Sequence, residues 1–365
     1  MRHLRLDPAL VIAVLALAIL GTVMVFSASA VRADTEHGGD GYYYFKRQIF
    51  FLIVGIMALV VGAAIPYGTW KKGVIVLLGV TVFLLILVLT PLGHTANSAS
   101  RWFRFGPLSL QIGEFAKLVV VMYMARYLSA RGDRLKTEPK LIIPPIAVMG
   151  VIFFLVAREP DLGTAMFIGL LGCSMLFLSG VPGRFLAGIA IASTPVITYL
   201  IMAKDFRMQR MKAFLDPWKE YDGSGFQLVQ SYVAFGDGGL FGTGLGAGKS
   251  KLFFLPESHT DFILAVIGEE LGFIGVIVVL SLFAVLIVKG MRVSSAAPDS
   301  FGALLGAGLT LMIGLQALLN CMVVLGLVPT KGLPLPFISY GGSSLLTSMI
   351  AAGILLNVAG RSKEA

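Results

Sequence analysis

Five polar residues, Glu257, Ser258, His259, Thr260 and Asp261, stand directly before an apolar stretch running to Ile267, so titratable groups sit where water meets a hydrophobic phase. A carboxylate at a helix start is kept ionised by the helix dipole, while apolar neighbours push its pKa up. Those opposed effects can leave Asp261 as a general base near neutrality. The same residues fit a capping box, with Ser258 as N-cap and Asp261 three positions on. Spacing leaves base and cap both open. Eight residues beyond Asp261, Glu269 would lie about 80° round a helix and about 12 Å along it, too far to share a proton in a carboxylate dyad. Glu269 is therefore expected to be a buried, paired structural acid.

The elements that must position this cluster are membrane spans. Of 365 residues, 57% are hydrophobic and 13% charged, against about 25% charged in soluble domains. Apolar runs long enough to cross a bilayer recur at 8–30, 48–66, 73–91, 113–129, 141–157, 162–180, 184–202, 262–289, 301–327 and 340–360. They predict an all-α polytopic membrane protein of about ten transmembrane helices, forming one domain over 1–365. The first run ends in Ser-Ala-Ser-Ala like a cleavable signal, but it exceeds the roughly 7 to 15 apolar residues of one. It is read as a retained span. Cys173 and Cys321 fall inside apolar runs, which offers neither a disulfide framework nor a metal-ligand spacing.

The net charge of +9 is scattered among the turns, which argues against nucleic acid and for lipid headgroups and topology. Lys and Arg are denser in the N-terminal tail, at 70–72, 126–140, 184, 289–292 and in the C-terminal tail than in the alternate short loops. The positive-inside rule then puts both termini in the cytoplasm. Residues 92–112, 158–161, 204–260 and 325–340 face outward, and so does the polar cluster.

The loop 203–261, between the seventh and eighth spans, far exceeds the roughly 12 to 15 residues of an ordinary connection. It carries Arg207, Arg210, Lys212, Lys219, Lys249 and Lys251 among Phe206, Phe214, Trp218, Tyr221 and Phe226. A solvated loop and a segment gripping an anionic headgroup are both compatible with that composition. Its stretch Gly242-Thr-Gly-Leu-Gly-Ala-Gly-Lys-Ser has Thr243 where a nucleotide-binding P-loop needs Gly, and no strand precedes it. No nucleotide site is expected. A glycine-rich backbone followed by Lys249 and Lys251 instead suits pyrophosphate outside the membrane.

In the fourth span Glu114 and Lys117 are three apart, on one helix face. Ionisable groups there cost about 2.5 to 3.5 kcal/mol and mark a functional interior unless they neutralise each other. Arg101 and Arg104 flank Trp102, Asp161 follows Pro160 where it could cap the sixth span, and Ser339 to Ser344 open the last one.

At Arg101-Trp102, Gln111 to Lys117, Pro160-Asp-Leu-Gly-Thr-Ala165, Phe214-Leu-Asp-Pro217, Gly223 to Gln227, Gly236 to Gly246, Leu255 to Gly272 and Gly332 to Ser344, the chain resembles the SEDS family, the shape, elongation, division and sporulation proteins of bacteria. Gly248 to Leu252 and Gly268 to Gly272 look more like its division and sporulation members than its elongation members. The chain departs from the family pattern at Ile112-Gly113, Asp237 and Phe226.

The resemblance implies the ten-span SEDS fold in the bacterial cytoplasmic (inner) membrane. It also implies a peptidoglycan glycosyltransferase that polymerises lipid II for septal wall synthesis, working with a class B penicillin-binding protein, a transpeptidase, and with divisome proteins. Asp261 matches the family's essential acid, which would take the proton of the acceptor 4-hydroxyl as undecaprenyl pyrophosphate leaves. Arg101, Glu114, Lys117, Arg207, Arg210, Lys249, Lys251, His259 and Ser339 are the expected substrate-binding residues. A divalent cation, magnesium or manganese, could assist them, with no protein metal ligands singled out. A lipid II flippase, an elongation-type polymerase and a non-catalytic scaffold are the competing readings.

Overall fold

The computed structural model describes residues 7–91, 93–96, 99–105, 108–132 and 134–361. The helices are α1 (Pro8–Glu36), α2 (Tyr43–Ala64), α3 (Tyr67–Val88), α4 (Ile112–Ser129), α5 (Arg134–Thr137), α6 (Ile143–Arg158), α7 (Leu162–Leu178), α8 (Gly183–Met202), α9 (Asp205–Leu215), α10 (Phe226–Gly238), α11 (Ile263–Ser295), α12 (Ser300–Val324) and α13 (Gly342–Ala359). Every expected span coincides with one of them. Among the described residues eight helices are long and apolar enough to cross a membrane. The two expected spans outside that set are α7, which is apolar but 17 residues long, and α4, which carries Glu114, Lys117 and Arg126.

Aspartates start three of these helices by bonding orphan amides. Asp7 accepts from Ala9 and Leu10 ahead of α1, Asp161 from Thr164 ahead of α7, and Asp299 from Gly302 ahead of α12. The bundle interior is built on α4, α12 and α13, most of whose residues are buried, whereas α8 buries none. Helices α2 and α13 approach closely because a side chain at Gly353 would put its Cβ 2.3 Å from the Leu59 carbonyl oxygen, the small-residue packing expected without a hydrophobic drive between helices.

Two features were not legible as apolar runs. Residues 94–111 carry a small antiparallel sheet of β1 (His94–Ala96), β2 (Ala99–Phe105) and β3 (Leu108–Gln111), with Trp102 opposite Gln111. The α11 helix is broken at Gly272, whose φ is 67°. The backbone groups freed there are taken by the glycine-rich loop. Thr243 and Gly244 amides donate to the Glu269 and Glu270 carbonyls at 2.9 and 3.0 Å, and Phe273 and Ile274 amides donate to the Gly239 and Leu240 carbonyls at 2.9 and 3.2 Å. Non-helical backbone near a bilayer is tolerated only when protein satisfies it in this way.

Candidate active site

The ends of α2, α7, α8 and α13, with α9, β2, β3, the turn 257–261 and the segment 329–344, enclose a cavity of about 1120 Å³ at one end of the bundle. Asp261, Asp161 and Glu257 line it together with Arg47, Arg101, Lys204, Arg207, Arg210 and Lys331. An excess of cations around a few acids is what a pyrophosphate ligand needs, because its charge must be met where water is scarce.

Asp261 stands in a turn one residue short of the helix cap, since α11 begins at Ile263 with Phe262 at its N-cap. The capping box expected of Ser258 and Asp261 is therefore corrected: no side chain caps α11, and Ser258 donates to the Ala28 carbonyl on α1 at 3.3 Å. The turn is held by its own bonds instead. Glu257, at φ 55°, accepts at its carbonyl from the Thr260 and Phe262 amides. Relieved of a capping role, Asp261 presents a half-buried carboxyl to the cavity. Burial, then the charge of Glu257, push its pKa up to about 7 against the pull of Arg210.

Arg101 is brought to the cavity by β2. Its guanidinium donates to the Glu159 and Pro160 carbonyls at 2.9 and 2.7 Å and lies 3.9 Å from Asp161. Asp161 itself is fully engaged, by the Thr164 amide and hydroxyl at 3.0 Å each and by the Gln111 side chain at 3.1 Å. It caps, as the sequence suggested. Arg207 is 8% exposed; it donates to the Leu200 carbonyl at 2.6 Å while its Nε has no partner among the described residues. Burial, then Arg101, hold its pKa below the ordinary arginine value. Arg210 lies beside them on α9.

The other expected substrate-binding residues are placed elsewhere. Glu114 and Lys117 form a buried 2.7 Å ion pair in the bundle interior, and Lys117 also donates to Gln316 at 2.6 Å. His259 is buried beside Tyr44 and Tyr340, with ring centroids 4.8 and 5.5 Å away. Burial drops its pKa to about 4, so the imidazole is neutral at neutral pH.

Ser339 braces backbone, donating to the Thr260 carbonyl at 2.6 Å and accepting from the Leu335 amide at 2.7 Å. Lys251 pairs with Glu270 at 3.1 Å, and the Lys249 and Ser250 amides donate to Glu269. The glycine-rich segment is thus bound to both acids. Glu270 is paired with Lys251. Glu269, expected to be paired, is buried and held by the Lys249 and Ser250 amides and the Ser250 hydroxyl, with no cation on it among the described residues. The Lys251 ammonium is held at Glu270 because a buried carboxylate needs donors, whereas Lys249 is exposed and bonds Glu269 only through its amide.

Sequence reasoning missed Arg47, Lys204 and Lys331 as cavity-lining cations. Lys331 stands beside the motif that begins at Gly332, the one signal that could have found it.

Fold and site together define a multi-pass helical membrane protein with an acid-bearing, cation-lined cavity at one end of the bundle. The chain belongs to the cell cycle protein family of FtsW, RodA and SpoVE, whose model matches residues 8–364. It is 44% identical, over 98% of its length and 96% of the relative's, to a probable peptidoglycan glycosyltransferase FtsW of Geobacter metallireducens. It is 38% identical to stage V sporulation protein E of Bacillus subtilis, over 96% of both. Its fold matches a chain from a peptidoglycan synthase complex that coordinates polymerisation and crosslinking, with a TM-score of 0.80 and 28% identity over 97% of both. It also matches the rod shape determining protein RodA of Thermus thermophilus, with a TM-score of 0.71 and 27% identity over 100% of both.

Proposed function

We propose that this chain, a peptidoglycan glycosyltransferase by its family and relatives, polymerises lipid II at the outer face of the bacterial cytoplasmic membrane with Asp261 as general base. The observation that carries the reading is the Asp261 carboxyl, poised near neutrality by burial, facing the cation set of the cavity. Asp261 takes the proton of the acceptor sugar's 4-hydroxyl as that oxygen bonds to the donor's anomeric carbon. The bond from that carbon to the phosphate oxygen breaks with inversion, and undecaprenyl pyrophosphate leaves. Arg101, Arg207, Arg210 and Lys331 stabilise the charge that develops on it.

Ten spans with both termini cytoplasmic put the cavity outside, where the sugars of lipid II are presented. The closeness to FtsW-named relatives favours septal synthesis in division, and the neighbouring synthase complex favours a class B penicillin-binding protein as partner, with divisome proteins around them. Among the described residues no three His, Cys, Asp or Glu gather to hold a metal, and both oxygens of Asp161 already accept from Thr164 or Gln111. A magnesium or manganese ion would be held chiefly by the substrate's own phosphates, with Asp261 and Glu257 as cavity-lining carboxylates, and would supply charge neutralisation there; no step is assigned to one.

Purified protein with its partner, given lipid II in detergent, should produce glycan polymer. Movement of lipid II across vesicle membranes without polymer would support the flippase reading instead.

A further inference from the structure

The backbone around Asp261 is held from outside its own turn, and by more than one element. Three consecutive carbonyls are each taken by a donor from another segment. The His259 carbonyl accepts from the Tyr340 amide at 2.9 Å, the Thr260 carbonyl from the Ser339 hydroxyl at 2.6 Å, and the Asp261 carbonyl from the Asn320 side-chain amide at 2.8 Å. The first two donors belong to the segment that lines the cavity. Asn320 belongs to α12, in the interior of the bundle.

Asn320 is 1% exposed, and its Nδ2 also donates to the Leu333 carbonyl at 2.8 Å. One side chain thus ties the carbonyl of Asp261 to the carbonyl of Leu333, which lies between the cavity residues Gly332 and Pro334. Its Oδ1 has no partner among the described residues. Turning the amide over would aim that oxygen at two carbonyl oxygens, so the donor orientation is the only one with attractive contacts. A turn below, Gln316 donates to the Pro334 carbonyl at 2.8 Å. The α12 helix therefore presents two amides to the cavity segment, and only Asn320 reaches the proposed base as well.

We infer that Asn320 is a positioning residue for Asp261, fixing the distance between the base and the cavity wall formed by residues 332–334. The inference rests on Asp261 being the base. Asn320 does not touch the substrate. Its amide fixes where the Asp261 backbone stands, and through it the direction in which the carboxyl meets the acceptor hydroxyl. Misplacing a reacting group by about 1 Å can cost on the order of 100-fold in rate. Loss of Asn320 should therefore lower kcat and leave the KM for lipid II nearly unchanged, because the cations of the cavity are untouched. A loosened turn also admits water to the carboxyl, which moves the acidic limb of the pH–rate profile below the wild-type position.

The test uses the full chain with its partner transpeptidase and measures lipid II polymerisation against pH for wild type, Asn320→Ala and Asp261→Asn. The expected result for Asn320→Ala is a kcat lowered about 30- to 100-fold, KM within about twofold, and an acidic limb displaced to lower pH. Unchanged kcat with an unchanged limb overturns the inference, as does a rise in KM that accounts for the whole loss. Should Asn320→Ala not be recovered folded, Asn320→Ser, which keeps one donor in less volume, is read by the same criteria. Full activity in Asp261→Asn would instead defeat the base assignment, a result read without reference to Asn320.

Discussion

Lys117 on α4 donates to Gln316 on α12 at 2.6 Å, and Gln316 passes the connection on to the Pro334 carbonyl at 2.8 Å. The buried ion pair in the fourth span is thereby linked to the segment that lines the cavity. Removing one member of a buried pair leaves an uncompensated charge, at about 3 to 5 kcal/mol. Lys117→Met should lower thermal stability in detergent by that order, and adding Glu114→Gln should recover most of it. Equal loss in the single and double variants would contradict a structural role for the pair.

Glu159 is wholly buried, and neither carboxylate oxygen has a partner among the described residues. Burial, then Asp161, raise its pKa to about 9 from an ordinary 4.5, against the pull of Arg101. The folded chain keeps a proton that the unfolded chain releases, so stability should fall as pH rises from about 4.5 towards 9. Glu159→Gln, which carries no titrating group, should flatten that part of the stability curve and unfold at a higher temperature than wild type at pH about 8. Thermal unfolding across this pH range measures both.

Arg210 lowers the pKa of Asp261 by its charge. Its replacement by Gln should raise that pKa, so the acidic limb of the pH–rate profile moves to higher pH and activity at neutrality falls. The KM for lipid II should rise as well, because a cation facing the pyrophosphate is gone. A pH series of initial rates tests both effects.

At Gly272, an alanine would meet a φ of 67° and place its Cβ 2.3 Å from the Gly242 amide nitrogen. Gly272→Ala should cost at least about 1 to 3 kcal/mol and loosen the 239–244 loop. Unfolding temperature and protease sensitivity near Gly242 would register it.

What the sequence made legible follows from how local each signal is. The spans were readable because a bilayer imposes length and apolarity on contiguous residues, and the cap at Asp161 because its partner Thr164 is three residues away. The supposed cap at Ser258 failed for the opposite reason. Residues 259–261 give their carbonyls to Tyr340, Ser339 and Asn320, distant in sequence, and the helix starts later than its local pattern suggests. Arg47, Lys204 and Lys331 meet at one cavity only because the ends of separate elements converge there. Lys251 carries the charge expected of a phosphate ligand, yet Glu270 claims it.

The central claim is that Asp261 removes the proton of the acceptor hydroxyl. Its most direct test is polymerisation of lipid II by the purified protein and its partner, comparing wild type with Asp261→Asn at equal thermal stability. Asparagine keeps the size and most of the contacts of the aspartate but cannot accept the proton at neutral pH. Polymer from the wild type and none from Asp261→Asn is the predicted result. Equal polymer from both would contradict it.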